Sequence, residues 1–139
     1  MKYVLLVSLI FLSFAARAAM PVEIVSTADD PVGSQLVYSV KEKIRQSSSL
    51  ELSLDDPAVR MQAQIVTLER DPSNPGVATV YSVVLTWDNT EQPFPFYLTQ
   101  YTGYCGSSSV NSCASTIVAK ISETSDAVIR LLASKLKKR

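Results

Sequence analysis

The amino-acid sequence predicts a single α+β domain, a two-layer sandwich in which two helices lie on one face of a mainly antiparallel sheet. Apolar residues recur at helical spacing near the two ends of this domain, over about residues 31–45 and 112–137. Between them, apolar and polar residues alternate as they do in strands, and clusters of turn residues separate the alternating runs. Because strands grouped between helices favour segregated layers, the predicted element order is β-α-β-β-β-β-α.

The chain begins with the three-part pattern of a secretory signal, and we predict that residues 1–18 are cleaved off. Lys2 gives a positive start, residues 3–14 are almost entirely apolar, and Ala16-Arg17-Ala18 supplies small residues for a signal peptidase. The apolar run would make about 18 Å of helix against a hydrocarbon core of about 30 Å, which disfavours the alternative of a permanent anchor. The predicted location is therefore the periplasm, or the exterior, with no membrane span left after cleavage.

The predicted mature chain, residues 19–139, has the length of one ordinary domain. The leader removes two of the 13 basic side chains, which leaves 11 against 13 acidic ones and a net charge of −2. A nearly neutral domain has no strong field to attract a polyanion, so we do not expect nucleic acid as a partner.

A short first strand is predicted at residues 22–25, followed by the first helix. Asp30 is an acidic residue suited to cap a helix, and Pro31 stands at the first helical position, where its missing N–H costs nothing. The apolar residues of this helix recur every four positions, and we expect it to end in the stretch Gln46-Ser47-Ser48-Ser49. That buried stripe consists of Val32, Leu36, Val40 and Ile44.

The middle of the chain changes to a period of two, which is typical of half-buried strands. The four predicted strands cover about residues 50–54, 59–68, 77–87 and 96–101. A dense turn signal at residues 71–76 predicts that the second and third of these pair as an antiparallel hairpin. Pro93 and Pro95 precede the last strand and indicate that it lies at a sheet edge.

The last predicted element is a helix over about residues 112–137. Ser125 interrupts its apolar stripe and marks a point at which the helix could bend or break. The stripe consists of Ile117, Val118, Ile121, Val128, Leu132 and Leu136.

Cys105 and Cys113 lie eight positions apart in a stretch rich in glycine and serine. In an exported protein such a pair predicts a structural disulfide. The alternatives are a redox-active pair, which usually has two intervening residues, or a metal site, which needs further ligands. Because the chain has no histidine, we predict neither a metal ion nor a cofactor.

Little in the sequence points to catalysis, and we predict a protein that is not an enzyme. The commonest general base, histidine, is missing, and no nucleophile elbow or phosphate-binding glycine loop is present. Ser134 and Lys137 match a Ser-x-x-Lys pattern, but they lie in the last predicted helical turn, where we interpret the match as chance. The remaining enzymatic alternative is a hydrolase that uses carboxylates such as Asp88, Glu91 or Glu69.

The sequence favours a binding function over catalysis, because residues 94–104 hold five aromatic side chains beside the disulfide loop. Aromatic residues give large contact areas for a small ordering cost, which suits a recognition surface. We expect Phe94 and Phe96 to fill the core, and the alternative for the tyrosines is that they cover a sheet face with their hydroxyls in water. The predicted binding surface consists of Tyr97, Tyr101, Tyr104 and, in the disulfide loop, Ser108.

The tail, residues 135–139, carries four basic residues that complement the negative end of a helix dipole. Contact with anionic lipid or with an acidic partner is the alternative for this tail.

The expected function is that of a small accessory protein that binds another component of the cell envelope, most simply a protein. An inhibitor or immunity protein for a secreted enzyme, using the disulfide loop as a plug, is the alternative. The sequence leaves the oligomeric state open.

Overall fold

The computed structural model of this protein describes residues 18–55 and 58–137. The predicted leader, apart from residue 18, lies outside the described residues, as do the last two basic residues of the tail. The described residues form one α+β domain in the predicted order, with a short 3-10 turn (Ser107–Ser109) before the last helix. Its elements are β1 (Met20–Thr27), α1 (Pro31–Arg45), β2 (Leu50–Leu52), β3 (Val59–Glu69), β4 (Ala78–Asn89), β5 (Phe96–Gly106) and α2 (Val110–Leu136).

The five strands form one mixed sheet in the spatial order β2-β1-β3-β4-β5. β1 lies between β2 and β3 and runs parallel to both, whereas β3, β4 and β5 form an antiparallel meander. The predicted hairpin is confirmed: β3 and β4 pair along their whole length, and Gly76 in the turn between them has a φ of 81°, which favours glycine. β5 lies at the sheet edge, as the two prolines before it predict.

Both helices pack on the same face of the sheet. The buried side chains of α1 and α2 belong to one hydrophobic core with the inward-facing residues of all five strands. This arrangement confirms the predicted two-layer sandwich, and within residues 18–55 and 58–137 no second layer covers the opposite face of the sheet. The largest side chains that are fully buried include Leu36, Ile44, Leu50, Met61, Ile65, Leu85, Ile117 and Ile121.

The first turn of α1 is anchored to the β3–β4 hairpin through Asp30. Its carboxylate accepts a 2.7 Å hydrogen bond from the backbone N–H of Gly33 and a second bond from the hydroxyl of Thr67. Burial alone would raise the pKa of Asp30, but the hydrogen bonds from Thr67, Gly33 and Thr79 outweigh that effect and hold its pKa below the ordinary value. The predicted cap therefore also connects the helix to the sheet.

β5 is longer than the sequence predicts. The alternating pattern suggested an end near Tyr101, but the strand continues to Gly106, which pairs with Ala78 at the start of β4. The additional ladder satisfies backbone groups along the whole edge of β4, which outweighs the weak strand preference of glycine at 103 and 106. Tyr104 and Cys105 consequently belong to the sheet rather than to a loop.

α2 runs without interruption from Val110 to Leu136, so no break occurs at Ser125. Ser125 is buried, and the neighbouring Thr124 hydroxyl donates a 2.8 Å hydrogen bond to the carbonyl of Lys120 one turn earlier. Polar side chains of this kind can be satisfied inside a helix, so they need not end it. The stripe is buried only in its first half, because Leu132 and Leu136 are exposed.

Candidate functional site

The disulfide between Cys105 and Cys113 is present, with 6.1 Å between the two Cα atoms. Cys105 is fully buried near the end of β5, and Cys113 lies in the first turn of α2. The bridge therefore ties the sheet edge to the last helix, across a short turn in which Ser107, Ser108 and Ser109 are exposed. A disulfide is typical of proteins from oxidising compartments and is compatible with an exported or envelope protein.

The four residues of the predicted binding surface do not lie on one surface. Tyr97 and Tyr104 pair with Thr86 and Val80, whose side chains lie on the uncovered face of the sheet. Tyr101 pairs instead with the buried Val83, which places it on the face that the helices cover. A strand alternates its side chains between two faces, so Tyr101 and Tyr104, three positions apart, point in opposite directions.

Tyr101 contributes to packing and to hydrogen bonding between layers. Its hydroxyl donates a 3.3 Å hydrogen bond to the backbone carbonyl of Ile117 in α2. Burial, reinforced by the neighbouring Tyr81, raises the pKa of Tyr101 well above its ordinary value. The phenol is therefore held neutral, and it links β5 to α2 rather than facing a partner.

Ser108 lies in a groove of about 500 Å³ between the first half of α1 and the start of α2. Tyr38 stands exposed in the same groove. Nearly all of the other lining residues are polar: Ser34, Gln35, Ser39, Ser107, Val110 and Asn111. Ser108 thus lies beside the helices, whereas Tyr97 and Tyr104 lie on the opposite face of the sheet.

The uncovered face of the sheet carries a row of exposed apolar side chains. Leu68 in β3 is paired with Val80 in β4, which is paired in turn with Tyr104 in β5, so the three lie side by side across three strands. Leu68 is 71 % exposed and Tyr104 is 52 % exposed, and Val66 adds a further exposed apolar side chain on the same face. We call Leu68, Val80, Tyr104, Val66 and the adjacent Arg70 the open-face patch.

Arg70 completes this patch at its edge. Its guanidinium carbon lies 4.7 Å from the centroid of the Tyr104 ring, and its Nη1 donates a 2.9 Å hydrogen bond to the Tyr104 hydroxyl. A cation held over an aromatic ring restricts the motion of both side chains. The patch therefore combines an ordered tyrosine, a fixed positive charge and aliphatic surface.

The opposite end of the same face is polar and already paired. Arg60 forms ion pairs of 2.8 Å with both Glu23 and Asp88, and Gln62 donates a 3.0 Å hydrogen bond to Glu23. These side chains come from three neighbouring strands and satisfy one another. Tyr97 lies at this end, one row from the ion pairs and about 20 Å along β5 from Tyr104.

Leu68, Val80, Val66 and Arg70 were not among the candidate residues from the sequence. The signal that could have revealed them is a broken alternation: Val66 and Leu68 occupy positions of β3 at which an exposed strand normally carries polar residues. β4 similarly has valines at outward-facing positions, Val80 among them. Apolar residues on both faces of a strand indicate either a second layer or an interaction surface.

Two of the three carboxylates considered for catalysis have structural partners. Asp88 is paired with Arg60, Glu69 accepts a 3.1 Å hydrogen bond from the N–H of Gly76, and Glu91 lies in the loop before β5. Within residues 18–55 and 58–137, no group of three or more cysteine, aspartate or glutamate side chains is arranged to hold a metal ion. Over the same ranges no helix is both long and apolar enough to cross a membrane.

Comparisons with known proteins define the fold but not a family. No protein-family model matches this chain, and no curated protein matches it in sequence. Among solved structures, the hypothetical protein CT253 from Chlamydia trachomatis is similar, with a TM-score of 0.51 and 10 % identity. The match covers 79 % of this chain and 99 % of that protein, so the two share a fold over almost the whole domain.

Two further solved structures are similar over a comparable span. A dodecamer of a PelC variant from Paraburkholderia phytofirmans has a TM-score of 0.49 and 14 % identity, over 78 % of this chain and 87 % of that one. A minor lipoprotein from Acinetobacter baumannii has a TM-score of 0.41 and 11 % identity, over 74 % of this chain and 92 % of that one. At such low identity, structural similarity does not transfer function.

Proposed function

We propose that this chain is an exported binding protein, without enzymatic activity of its own, that docks another protein of the cell envelope on its open-face patch. The observation that carries the proposal is the row Leu68–Val80–Tyr104, which exposes contiguous apolar surface on the sheet face opposite the two helices. Aliphatic surface beside an ordered tyrosine and an arginine has the composition found at the centres of protein interfaces.

A protein fits this surface better than a small molecule does. Small ligands bind in concave sites that enclose most of their surface, whereas the patch is spread over three adjacent strands of a sheet. Its width across β3, β4 and β5 is about 10 Å, and the patch offers side chains that a second folded surface could cover. The positive charge of Arg70 favours a partner whose surface presents acidic side chains or backbone carbonyls.

The compartment follows from two features that support each other. The first 18 residues have the pattern of a cleavable secretory signal, and the Cys105–Cys113 disulfide is of the kind that persists in oxidising surroundings. We therefore place the mature protein in the periplasm or outside the cell, and we place its partner there too.

The proposal is tested by recovering the partner with a tagged mature chain from an envelope extract. The patch variant carries Leu68→Ser and Tyr104→Ser, and the control carries Tyr38→Ser, which alters an equally exposed aromatic side chain on α1. We expect wild type and control to recover the same stoichiometric protein, and the patch variant to recover at least tenfold less.

Recovery of that protein by all three chains in equal amounts would show that the patch is not the docking site. Recovery of no stoichiometric partner by wild type would contradict the binding function itself. Because both substituted side chains are exposed, melting curves of the three chains should agree within a few degrees, which excludes unfolding as the cause of a lost interaction.

A further inference from the structure

The second half of α2 lies beside the beginning of β5. α2 runs antiparallel to β5, because Ile117 near the start of the helix accepts the hydrogen bond from Tyr101, while Ala127 lines a groove together with Thr99. Beyond Ala127 the helix continues for about 14 Å to Leu136, and β5 continues back from Thr99 for about 10 Å to Phe96. These two segments therefore extend towards the same end of the domain.

Large apolar side chains are exposed at this end. Leu132 and Leu136 continue the stripe that buries Ile117 and Ile121, but they extend past the core and remain in solvent. Leu136 is 76 % exposed, and Leu131, next to Leu132 in the sequence, is exposed as well. Phe96, at the start of β5, and Phe94, two residues before it, are also exposed, so the expectation that they fill the core is wrong.

The charge of the helix changes over the same stretch. From residue 127 to residue 137 the basic side chains are Arg130, Lys135 and Lys137, and there is no acidic side chain. The sequence continues with two more basic residues at 138 and 139. Earlier in α2, by contrast, Lys120 is paired with Glu123, and the helix is close to neutral.

We propose that this end of the domain docks on an anionic lipid surface. The docking end consists of residues 128–137 of α2 together with Phe94 and Phe96. An interfacial helix needs an apolar stripe and flanking basic residues, and both occur here on a segment in which Leu131, Leu132 and Leu136 are exposed. The leucines and phenylalanines would enter the boundary between headgroups and acyl chains, while the lysines reach back to the phosphates.

Charge complementarity selects lipid over a purely apolar partner. Three basic side chains within eight residues, without an intervening acid, would be repelled or left unpaired on a neutral hydrophobic surface. A bilayer rich in anionic lipid satisfies the charges and the apolar stripe at once, and each basic residue near such a surface strengthens binding about fivefold. The open-face patch lies on the opposite side of the sheet, so lipid docking and partner binding are separate properties.

The test measures sedimentation of the mature chain, residues 19–139, with vesicles. Vesicles of phosphatidylethanolamine and phosphatidylglycerol in a 3:1 ratio supply the anionic surface, and phosphatidylcholine vesicles supply a neutral one. One variant carries Leu132→Ser and Leu136→Ser, and a second carries Lys135→Glu and Lys137→Glu. The control carries Leu68→Ser, which removes an equally exposed leucine from the open-face patch.

We expect wild type and the Leu68→Ser control to bind anionic vesicles equally, and each docking-end variant to bind at least tenfold more weakly. Binding to neutral vesicles should also be at least tenfold weaker. Failure of wild type to sediment with anionic vesicles would overturn the proposal. So would binding that needs the lysines but not the leucines, since that pattern indicates attraction to any acidic surface, including an acidic protein.

Discussion

Arg70 and Tyr104 are held together across the central strand of the antiparallel meander. Arg70 follows the end of β3, Tyr104 lies in β5, and the guanidinium carbon of the arginine is 4.7 Å from the centroid of the tyrosine ring. Val80 of β4 is the cross-strand neighbour of Tyr104. Two residues 34 positions apart thus form one ordered unit on a surface that faces solvent.

Arg70→Ala should separate stability from recognition. Because the contact is exposed, its loss should cost less than about 1 kcal/mol of unfolding free energy, measured by urea denaturation. Partner affinity should fall about tenfold or more, since the tyrosine loses the contact that fixes its ring. Tyr104→Phe keeps the ring and serves as the milder comparison. An Arg70→Ala chain that unfolds far more readily would instead assign the pair a role in folding.

Removal of the disulfide should destabilise the domain strongly. We expect Cys105→Ser with Cys113→Ser to lower the melting temperature by about 10 °C, from a loss of about 2.5 kcal/mol for a loop of this size. The intact mass of the wild-type chain should be about 2 Da below that of its reduced form. Ser108→Ala, in the same turn, is the control and should melt with wild type. A shift of only a degree or two would indicate that the bridge contributes little to folding.

Asp30 should make stability depend on pH in the acid range. Its pKa in the folded chain is below the ordinary value, so its contribution is complete above about pH 4 and is lost as the pH falls through the lowered pKa. Asp30→Ala should cost about 1 to 2 kcal/mol at pH 7, and the difference from wild type should shrink towards pH 2.

Asp71→Asn is the matched control for this titration. The pKa of Asp71 is also lowered, by hydrogen bonds from the Ser73 side chain and backbone, but Asp71 lies in an exposed turn. Urea midpoints measured from pH 2 to pH 7 should show a much smaller dependence on this residue than on Asp30. A difference between wild type and Asp30→Ala that stays constant down to pH 2 would contradict the proposed cause.

Gly33→Ala should be strongly destabilising, although alanine normally favours helices. A Cβ atom at position 33 would overlap the hydroxyl of Thr67 and a carboxylate oxygen of Asp30. Relief of that overlap would break the anchor of α1 on the hairpin, at a cost of about 2 kcal/mol or more. Gly106→Ala provides the comparison, because nothing lies within 4 Å of the added carbon. Similar urea midpoints for the two variants would contradict this account of Gly33.

Several elements were determined by local sequence. α1 begins and ends where its cap, its proline and its spacing of four predict, because these signals act within one or two turns of the chain. The β3–β4 hairpin follows from two alternating runs and a six-residue turn. The disulfide follows from two cysteines at a short separation.

The sequence predicted the candidate site less well than the fold, because the path of β5 contains an irregularity. Tyr97 and Tyr104 are seven positions apart, an odd number that places two residues of a regular strand on opposite faces. They share a face because Leu98 is an extra residue opposite the Leu85–Thr86 step of β4. A bulge of this kind depends on how two strands fit together, and no local pattern in β5 reveals it.

Local patterns therefore predict the order of the elements, the cap of α1 and the β3–β4 hairpin, since these depend on residues close to one another in the chain. The folded chain alone reveals that β1 lies between β2 and β3, that the open face carries an apolar row, and that α2 extends beyond the core. Those features depend on which strands become neighbours and on where the core ends. The strand neighbours and the limits of the core are set by contacts between residues far apart in sequence. Local sequence patterns do not reveal such contacts.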